Sequence, residues 1–286
     1  MSEFFLELFS EEIPAGLQKN LREKIFEDFK NLFEEKSIKS KKNFSFSTPN
    51  RLVLVFEGLD KQIKIKSKEI RGPKTSAPEQ ALEGFLRSNK INKKDVFKKK
   101  TEKDEFYFYK TVATSLKTHD LLTEFIPKIL SNYQWKKSMK WGEFDLNWGR
   151  PLKSILSIFD KKIVSFKFHH LTSSNLTFLD KDFEEKKRSF ENFRKYEKFF
   201  EDNGVIVNQN KRLKIINKSF LKILGKKGLK INENPKLMDE VVNLVDSPNV
   251  LLCKFDKKFL SVPKEILTLT MESHQKYFPT FNDKNE

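Results

Sequence analysis

No apolar run in this chain is long. The apolar residues arrive in strand-length blocks, such as EFFLELF at 3–9 and RLVLVFEGL at 51–59. Others form stripes of helical period: Leu17, Leu21, Ile25, Phe29, Leu32 and Phe33. None approaches the roughly eighteen residues needed to span a bilayer. Blocks with a period near two read as strands, and stripes with a period of 3.6 read as amphipathic helices. The two kinds mix without strict strand–helix–strand alternation. That order favours an α+β fold, with mixed or antiparallel sheets and packed helices, over a doubly wound parallel sheet.

Local signals fill in the elements. EFFLELF reads as a short buried strand. Ser10 is placed to cap the helix that follows, with Glu11 and Glu12 at the positive end of its dipole and Pro14 in its first turn. The helical stripe runs to about Glu35. FSFSTPNRLVLVFEGL reads as two strands joined at Thr48-Pro49-Asn50. In EIRGPKTSAP, Gly72, Pro73 and Pro78 argue against regular structure. EQALEGFLRSN is a short helix, KKKTEKDEFYFYKTVAT a strand–turn–strand, and HDLLTEFIPKILSNY an amphipathic helix carrying Pro127. The turn-rich SMKWGEFDLNWGRPLKS marks a junction. It divides the chain into an α+β domain at 1–135 and a second at 136–286, with 136–152 as the junction loop. Beyond it come a hairpin around Asp160-Lys161-Lys162, a helical stretch at 181–204 and a strand at 205–208. Helices are expected from Lys211 to Gly225 or Gly228, from Pro235, and over 264–273. NVLLCKFDKKFLSVP reads as a buried strand, a turn and a second short strand, with Cys253 in the core.

The net charge of +16 invites a nucleic-acid partner. A second account of the same charge is codon composition, because Lys, Asn, Ile and Phe are all abundant and share AT-rich codons. Only eight of the 56 basic residues are Arg, so each marks a place where a planar, five-donor fork matters. With Cys253 alone there is no disulfide framework and no thiolate cage, and His119, His169, His170 and His274 lack ligand spacing apart from the adjacent pair. Neither a metal nor a cofactor site is expected. Met1–Phe9 carries neither a basic leader nor a small-residue cleavage site, which points to a cytoplasmic protein without a membrane partner.

Generic catalytic signatures are absent: no phosphate-cradling glycine loop, GxSxG elbow or HExxH. The acid pairs Glu11-Glu12 and Glu184-Glu185 read as solvated surface. Four turns hold the informative cations. TPNRLVL sets Arg51 at the mouth of a strand. IRGPK displays Arg71 and Lys74 on either side of a Gly-Pro turn. MKWG and NWGRP bring Lys140, Trp141, Trp148 and Arg150 into one loop region, where stacking and cationic contact can combine on a nucleotide. The competing role for each Arg is structural, tying down carbonyls or a carboxylate. MESHQKYFPTF, at 271–281, adds Lys276 and His274 at the step from a helix end into an edge strand limited by Pro279.

LELFSEEIP, TPNRLVL, RGPK, MKWG, RP and the run LMDEVVNLVDSPNVLLCKFDKKFLSVPKEILTLTMESHQKYFPTF occur in an order that resembles the N-terminal portion of the bacterial glycyl-tRNA synthetase β subunit. The likeness covers nearly the whole chain and is weakest over 172–235. Phe9-Ser10 stands where that family has Gly-Thr, Asn50-Arg51 where it has an arginine pair, and Phe178-Leu179-Asp180 where it has Gly-His-Arg-Phe. The family's chains are more than twice as long, so a truncated chain or fragment is expected. The resemblance implies an α/β heterotetramer whose α subunit activates glycine with ATP and Mg²⁺. The β chain is non-catalytic, gripping tRNA(Gly) and holding the assembly, and its second half is similar to the editing-type domain of phenylalanyl-tRNA synthetase β chains. Arg51, Arg71, Lys74, Lys140, Trp141, Arg150 and Lys276 are then the expected RNA contacts. Two other readings stand beside it: an editing-like hydrolase using His274 or His170 as base, and a purely architectural module at the subunit interface.

Overall fold

A strand with seven consecutive buried residues, Phe4 to Ser10, needs neighbours on both edges and cover on both faces. β1 (Glu3–Ser10) obtains all four. The computed structural model describes residues 2–65, 67–101, 104–179 and 187–282. α1 (Ala15–Glu35) lies on one face, its buried stripe of Leu21, Ile25, Phe29, Leu32 and Phe33 matching the helical period of the sequence. Phe4 meets Phe29, Phe33 and Phe56 at ring-centroid separations of 5.4, 6.4 and 6.1 Å. Each fully buried side chain of this kind stabilises the fold by about 1.5–3 kcal/mol. β2 (Lys42–Thr48) and β3 (Arg51–Glu57) form the hairpin expected at Thr48-Pro49-Asn50, and β3 pairs with β1 along its length.

Ser10 does not cap α1. Its N–H donates to the Asn50 carbonyl at 2.9 Å, and the Ile13 N–H donates to the Pro49 carbonyl at 2.7 Å. These bonds tie 10–13 to the β2–β3 turn, and the helix begins only after Pro14.

The chain divides at places other than 135/136. Residues 1–60 pack with 122–286 as one compact unit, and 61–121 make the other. The second unit contains β4 (Gln62–Ile65), β5 (Glu69–Lys74), α2 (Glu79–Asn89), β6 (Val96–Lys100), β7 (Glu105–Lys110) and β8 (Thr114–Lys117). They form an antiparallel sheet in the order β5-β7-β6 and a separate β4–β8 pair. Residues 69–74, expected to be irregular, are a strand. Pro73 is tolerated because β5 is an edge strand whose register slips between Arg71 and Lys74. Gly72 permits close packing of α2, since a Cβ there would lie 2.9 Å from the Phe85 ring.

The boundary at 121/122 falls within α3 (Thr118–Asn132), which accommodates Pro127 internally, and the first unit resumes along this helix. β9 (Leu152–Phe159) pairs with the other edge of β1, and β10 (Lys162–Ile163) folds back on it. Asp160 and Lys161 both take positive φ (49° and 65°), the backbone of a two-residue hairpin turn matched to strand twist. The resulting sheet is antiparallel with order β10-β9-β1-β3-β2. β11 (Lys167–Phe168) and β12 (Leu171–Thr172) form a small hairpin, followed by β13 (Leu176–Phe178) and β14 (Lys187–Ser189). α4 (Phe193–Asp202) covers the second face of the sheet, where Phe193, Tyr196 and Phe200 pack against Phe5, Val53, Val55, Leu156 and Ile158. α5 (Gln209–Lys227), β15 (Lys230–Ile231), α6 (Pro235–Val242), α7 (Lys264–Ser273) and β16 (Thr280–Phe281) complete the chain.

Three expectations change here. Of the helix expected over 181–204, the described residues form helix at 193–202 and a strand at 187–189, and 180–186 lie outside the described residues. Residues 205–208 are not a strand. Val205 instead closes the end of α4 by donating to the Phe200 carbonyl at 2.8 Å. Residues 249–256 form no strand either, and Cys253 is exposed. No helix among the described residues is long and apolar enough to cross a membrane.

Candidate nucleic-acid interface

Arg51, expected at an RNA surface, is in the core. Its side chain is 2 % exposed. The strand mouth aims it inward, onto the α4 face of the sheet. There Nη2 donates to the carbonyls of Phe178 at 2.5 Å and Leu179 at 2.9 Å, while Nε lies 3.3 Å from Glu7 Oε1. The Phe9 and Phe200 rings flank the guanidinium at 4.6 and 4.5 Å. A cation with these partners and no solvent access cannot meet a phosphate in this fold, and the structural role prevails. Glu7 also accepts a bond from Thr177 Oγ1 at 2.8 Å. Burial pushes its carboxyl up to about 7, against the opposing effects of Arg51 and Thr177. Burial and the neighbouring Glu7 hold the Tyr196 phenol well above its ordinary value.

Two further arginines serve the same kind of purpose. Arg22 Nη1 donates to Ser47 Oγ at 2.7 Å. Arg212 is fully buried and donates to four backbone carbonyls: Val242 (2.9 Å), Ile206 (2.6 Å), Val207 (3.1 Å) and Ser47 (2.8 Å). Much of the scarce arginine is thus a fastening between segments. The five-donor fork is used, but on carbonyls and, for Arg22, on a serine hydroxyl.

The loop at 138–151 is built on tryptophan packing. Met139 and Trp148 pair as an antiparallel bridge, and Trp148 is buried against Trp135 (5.0 Å) and Phe168 (5.8 Å). Lys140 is exposed beside half-buried Trp141, which meets His170 edge-on at 5.8 Å. Arg150 is half-buried and donates to the carbonyl of its neighbour Gly149 at 2.8 Å. A cavity of about 270 Å³ opens between Glu143, Phe144, Asp145, His169 and His170. Two carboxylates on that rim disfavour an anion. His170 stacks on Phe144 at 3.7 Å, and burial, followed by the nearby His169, lowers its pKa. Lys276 pairs with Glu240 at 2.9 Å, and His274 is exposed with no side-chain partner among the described residues. A larger cleft of about 390 Å³ is lined by Asn20, Glu23, Lys24 and residues 132–136; it brings no nucleophile together with a base. Among the described residues no three His, Cys, Asp or Glu side chains are grouped to hold a metal.

One cationic surface lies in the second unit. Residues 61–121 hold sixteen Lys and Arg against eight Asp and Glu, which is half the net charge of the chain. Residues 203–232 carry an equal net charge, eight Lys and Arg with no acid, so it is arrangement rather than charge alone that distinguishes the second unit. Register places Arg71 and Phe97 beside Phe108, and Lys74 and Lys99 beside Phe106, all on one face of the β5-β7-β6 sheet. The Arg71 guanidinium lies 3.5 Å over the Phe106 ring, with Lys74 Nζ at 5.9 Å. Lys99 Nζ stands 5.5 Å over Phe108, and Phe97, 39 % exposed, stacks on the same ring at 6.1 Å. Exposed pairs with Asp104 (to Lys74) and Glu69 (to Lys99), each at 2.6 Å, hold the lysines loosely. Arg71 and Lys74 are therefore brought together, and Lys99, Phe97, Phe106 and Phe108 join them. Such a face offers phosphate oxygens N–H donors above a rigid aromatic floor.

A family model described as glycyl-tRNA synthetase beta subunit matches residues 4–286. The chain belongs to that family. Glycine–tRNA ligase beta subunits are similar to it throughout. The protein of Rickettsia canadensis is 38% identical over 282 residues, covering 99% of this chain and 42% of that protein. Those of Rickettsia felis and Rickettsia bellii are 37% and 39% identical over 284 and 286 residues, with 99% and 100% of this chain matched to 43% of theirs. The chain corresponds to the N-terminal portion of these relatives and spans about two fifths of their length.

For this member of the glycyl-tRNA synthetase beta subunit family, reading turn by turn misses Lys99, Phe97, Phe106 and Phe108, because sheet register rather than sequence proximity assembles them. A usable signal is present: the lysine triplet 98–100 and the FYFY run 106–109 both alternate along paired strands, and the charge count rises over the same residues.

Proposed function

We propose that this chain is the tRNA-binding and assembly portion of a glycine–tRNA ligase, working in the cytoplasm. In this reading it grips tRNA(Gly) and joins an alpha subunit in a heterotetramer; that subunit carries out ATP- and Mg²⁺-dependent glycine activation. The chain itself is non-catalytic. The observation that carries the reading is the layering of Arg71, Lys74 and Lys99 over Phe106 and Phe108 on one sheet face. Likeness of the second half to an editing-type domain belongs to the same reading as architecture alone. Neither His170 nor His274 is joined to a nucleophile and an orienting group among the described residues, which weighs against a hydrolase.

Binding through these three cations makes affinity depend on salt. Each phosphate neutralised contributes roughly 0.7–0.9 to the slope of log affinity against log salt, so tRNA(Gly) affinity is expected to fall about 20- to 40-fold between 50 and 200 mM salt. Fluorescence anisotropy with labelled tRNA reads this directly. A flat response would leave the architectural role at the subunit interface as the better account.

A further inference from the structure

All ten residues of LLCKFDKKFL, 251–260, are exposed, although six of them are apolar. Leu251 is 72 % exposed, Phe255 50 % and Leu260 64 %. α7 follows with no buried residue, and Ile266 and Leu269, one helical turn apart, are 55 % and 64 % exposed. The sequence pattern calls for burial here, and nothing among the described residues supplies it. Apolar surface gathered in this way marks a place where another surface packs.

We propose that the apolar side of residues 251–269 is the seat of the polypeptide that forms the remainder of the beta subunit in the relatives. More than half of each relative's length lies outside the match, and this chain corresponds to their N-terminal portion. The patch also ends 13 residues before Asn282, the last described residue, from which such a segment would depart. Lys276 is tied to Glu240 of α6, and β16 is paired with β15, so the chain beyond α7 stays anchored up to Asn282. A segment tethered there meets the patch at high effective concentration. Pairing between two copies is disfavoured, because it would bring together two stretches of like net charge, each with Lys254, Lys257 and Lys258 against a single Asp256.

The test joins this chain to the part of the Rickettsia bellii beta subunit that lies beyond its match and follows amide hydrogen exchange, with the unjoined chain as reference. Exchange over 251–269 is expected to slow about tenfold or more in the joined protein. Leu251→Glu with Leu260→Glu should return it to the reference rate, and circular dichroism of the unjoined chain should be unaffected, since both side chains are exposed. Unchanged exchange in the joined protein would overturn the proposal. So would a stable dimer of the unjoined chain, or capture of the Rickettsia bellii alpha subunit, if these two substitutions abolish it, because the patch would then belong to that other partner.

Discussion

Replacing Arg212 with methionine is expected to destabilise the protein by about 3–5 kcal/mol, the range for breaking a buried charged network. The guanidinium joins the end of β2 at Ser47, the segment after α4 at Ile206 and Val207, and the end of α6 at Val242. Burial lowers its pKa to about 10, which still leaves it charged at neutral pH. Methionine fills similar space but leaves four interior carbonyls unpaired, each costing about 1–3 kcal/mol before relaxation. Urea unfolding should show a lower midpoint with an unchanged slope, and the exposed control Lys218→Met should move little. Lysine at 212 restores a charge but reaches fewer carbonyls, so a partial rescue is expected. A loss below about 1 kcal/mol would mean that these segments are held by packing alone.

Glu7 gives the second large effect, through pH. Burial raises its folded-state pKa to about 7, whereas an unfolded chain leaves a glutamate near the ordinary value of about 4.3. Between those values the folded state therefore binds more protons than the unfolded state, and stability falls as pH rises. The penalty is absent below the unfolded value, grows through the window and is complete above pH 7. Glu7→Gln removes the titration while keeping an acceptor for Thr177. The stability of the parent protein relative to this variant should thus drop by about 2–3 kcal/mol from pH 5 to pH 8. Parallel curves would show that the nearby Arg51 keeps Glu7 ionised throughout.

Elements set by local chemistry were legible in the sequence. The β2–β3 hairpin follows from Thr48-Pro49-Asn50 between apolar strands, α2 occupies 79–89 as its pattern predicts, and α6 starts at Pro235 behind the Asn234 cap. Elements decided by tertiary partners were not. Ser10 has the chemistry of a cap, but a sheet edge claims its backbone. Pro73 argues against a strand only where both edges are paired, and β5 has one free edge. Residues 249–256 have strand composition and no neighbouring strand among those described. For the candidate site, Arg71 and Lys74 were visible as a rigid cationic turn. Arg51 carries the same signal in sequence, because a fork that suits phosphate suits carbonyls equally well; only the inward direction of its strand position decides between them.

In the proposed function the β5-β7-β6 face, rather than overall charge, binds tRNA. Two triple variants separate these cases at equal net charge: Arg71→Gln, Lys74→Gln and Lys99→Gln on that face, and Lys222→Gln, Lys226→Gln and Lys227→Gln on exposed positions of α5. Measured by tRNA(Gly) anisotropy across a salt series, the face variant should lose about 2–3 units of salt slope, and the α5 variant should keep the parent slope. Equal losses in the two variants would contradict a role for this face and return the lysines to the status of a diffuse charge.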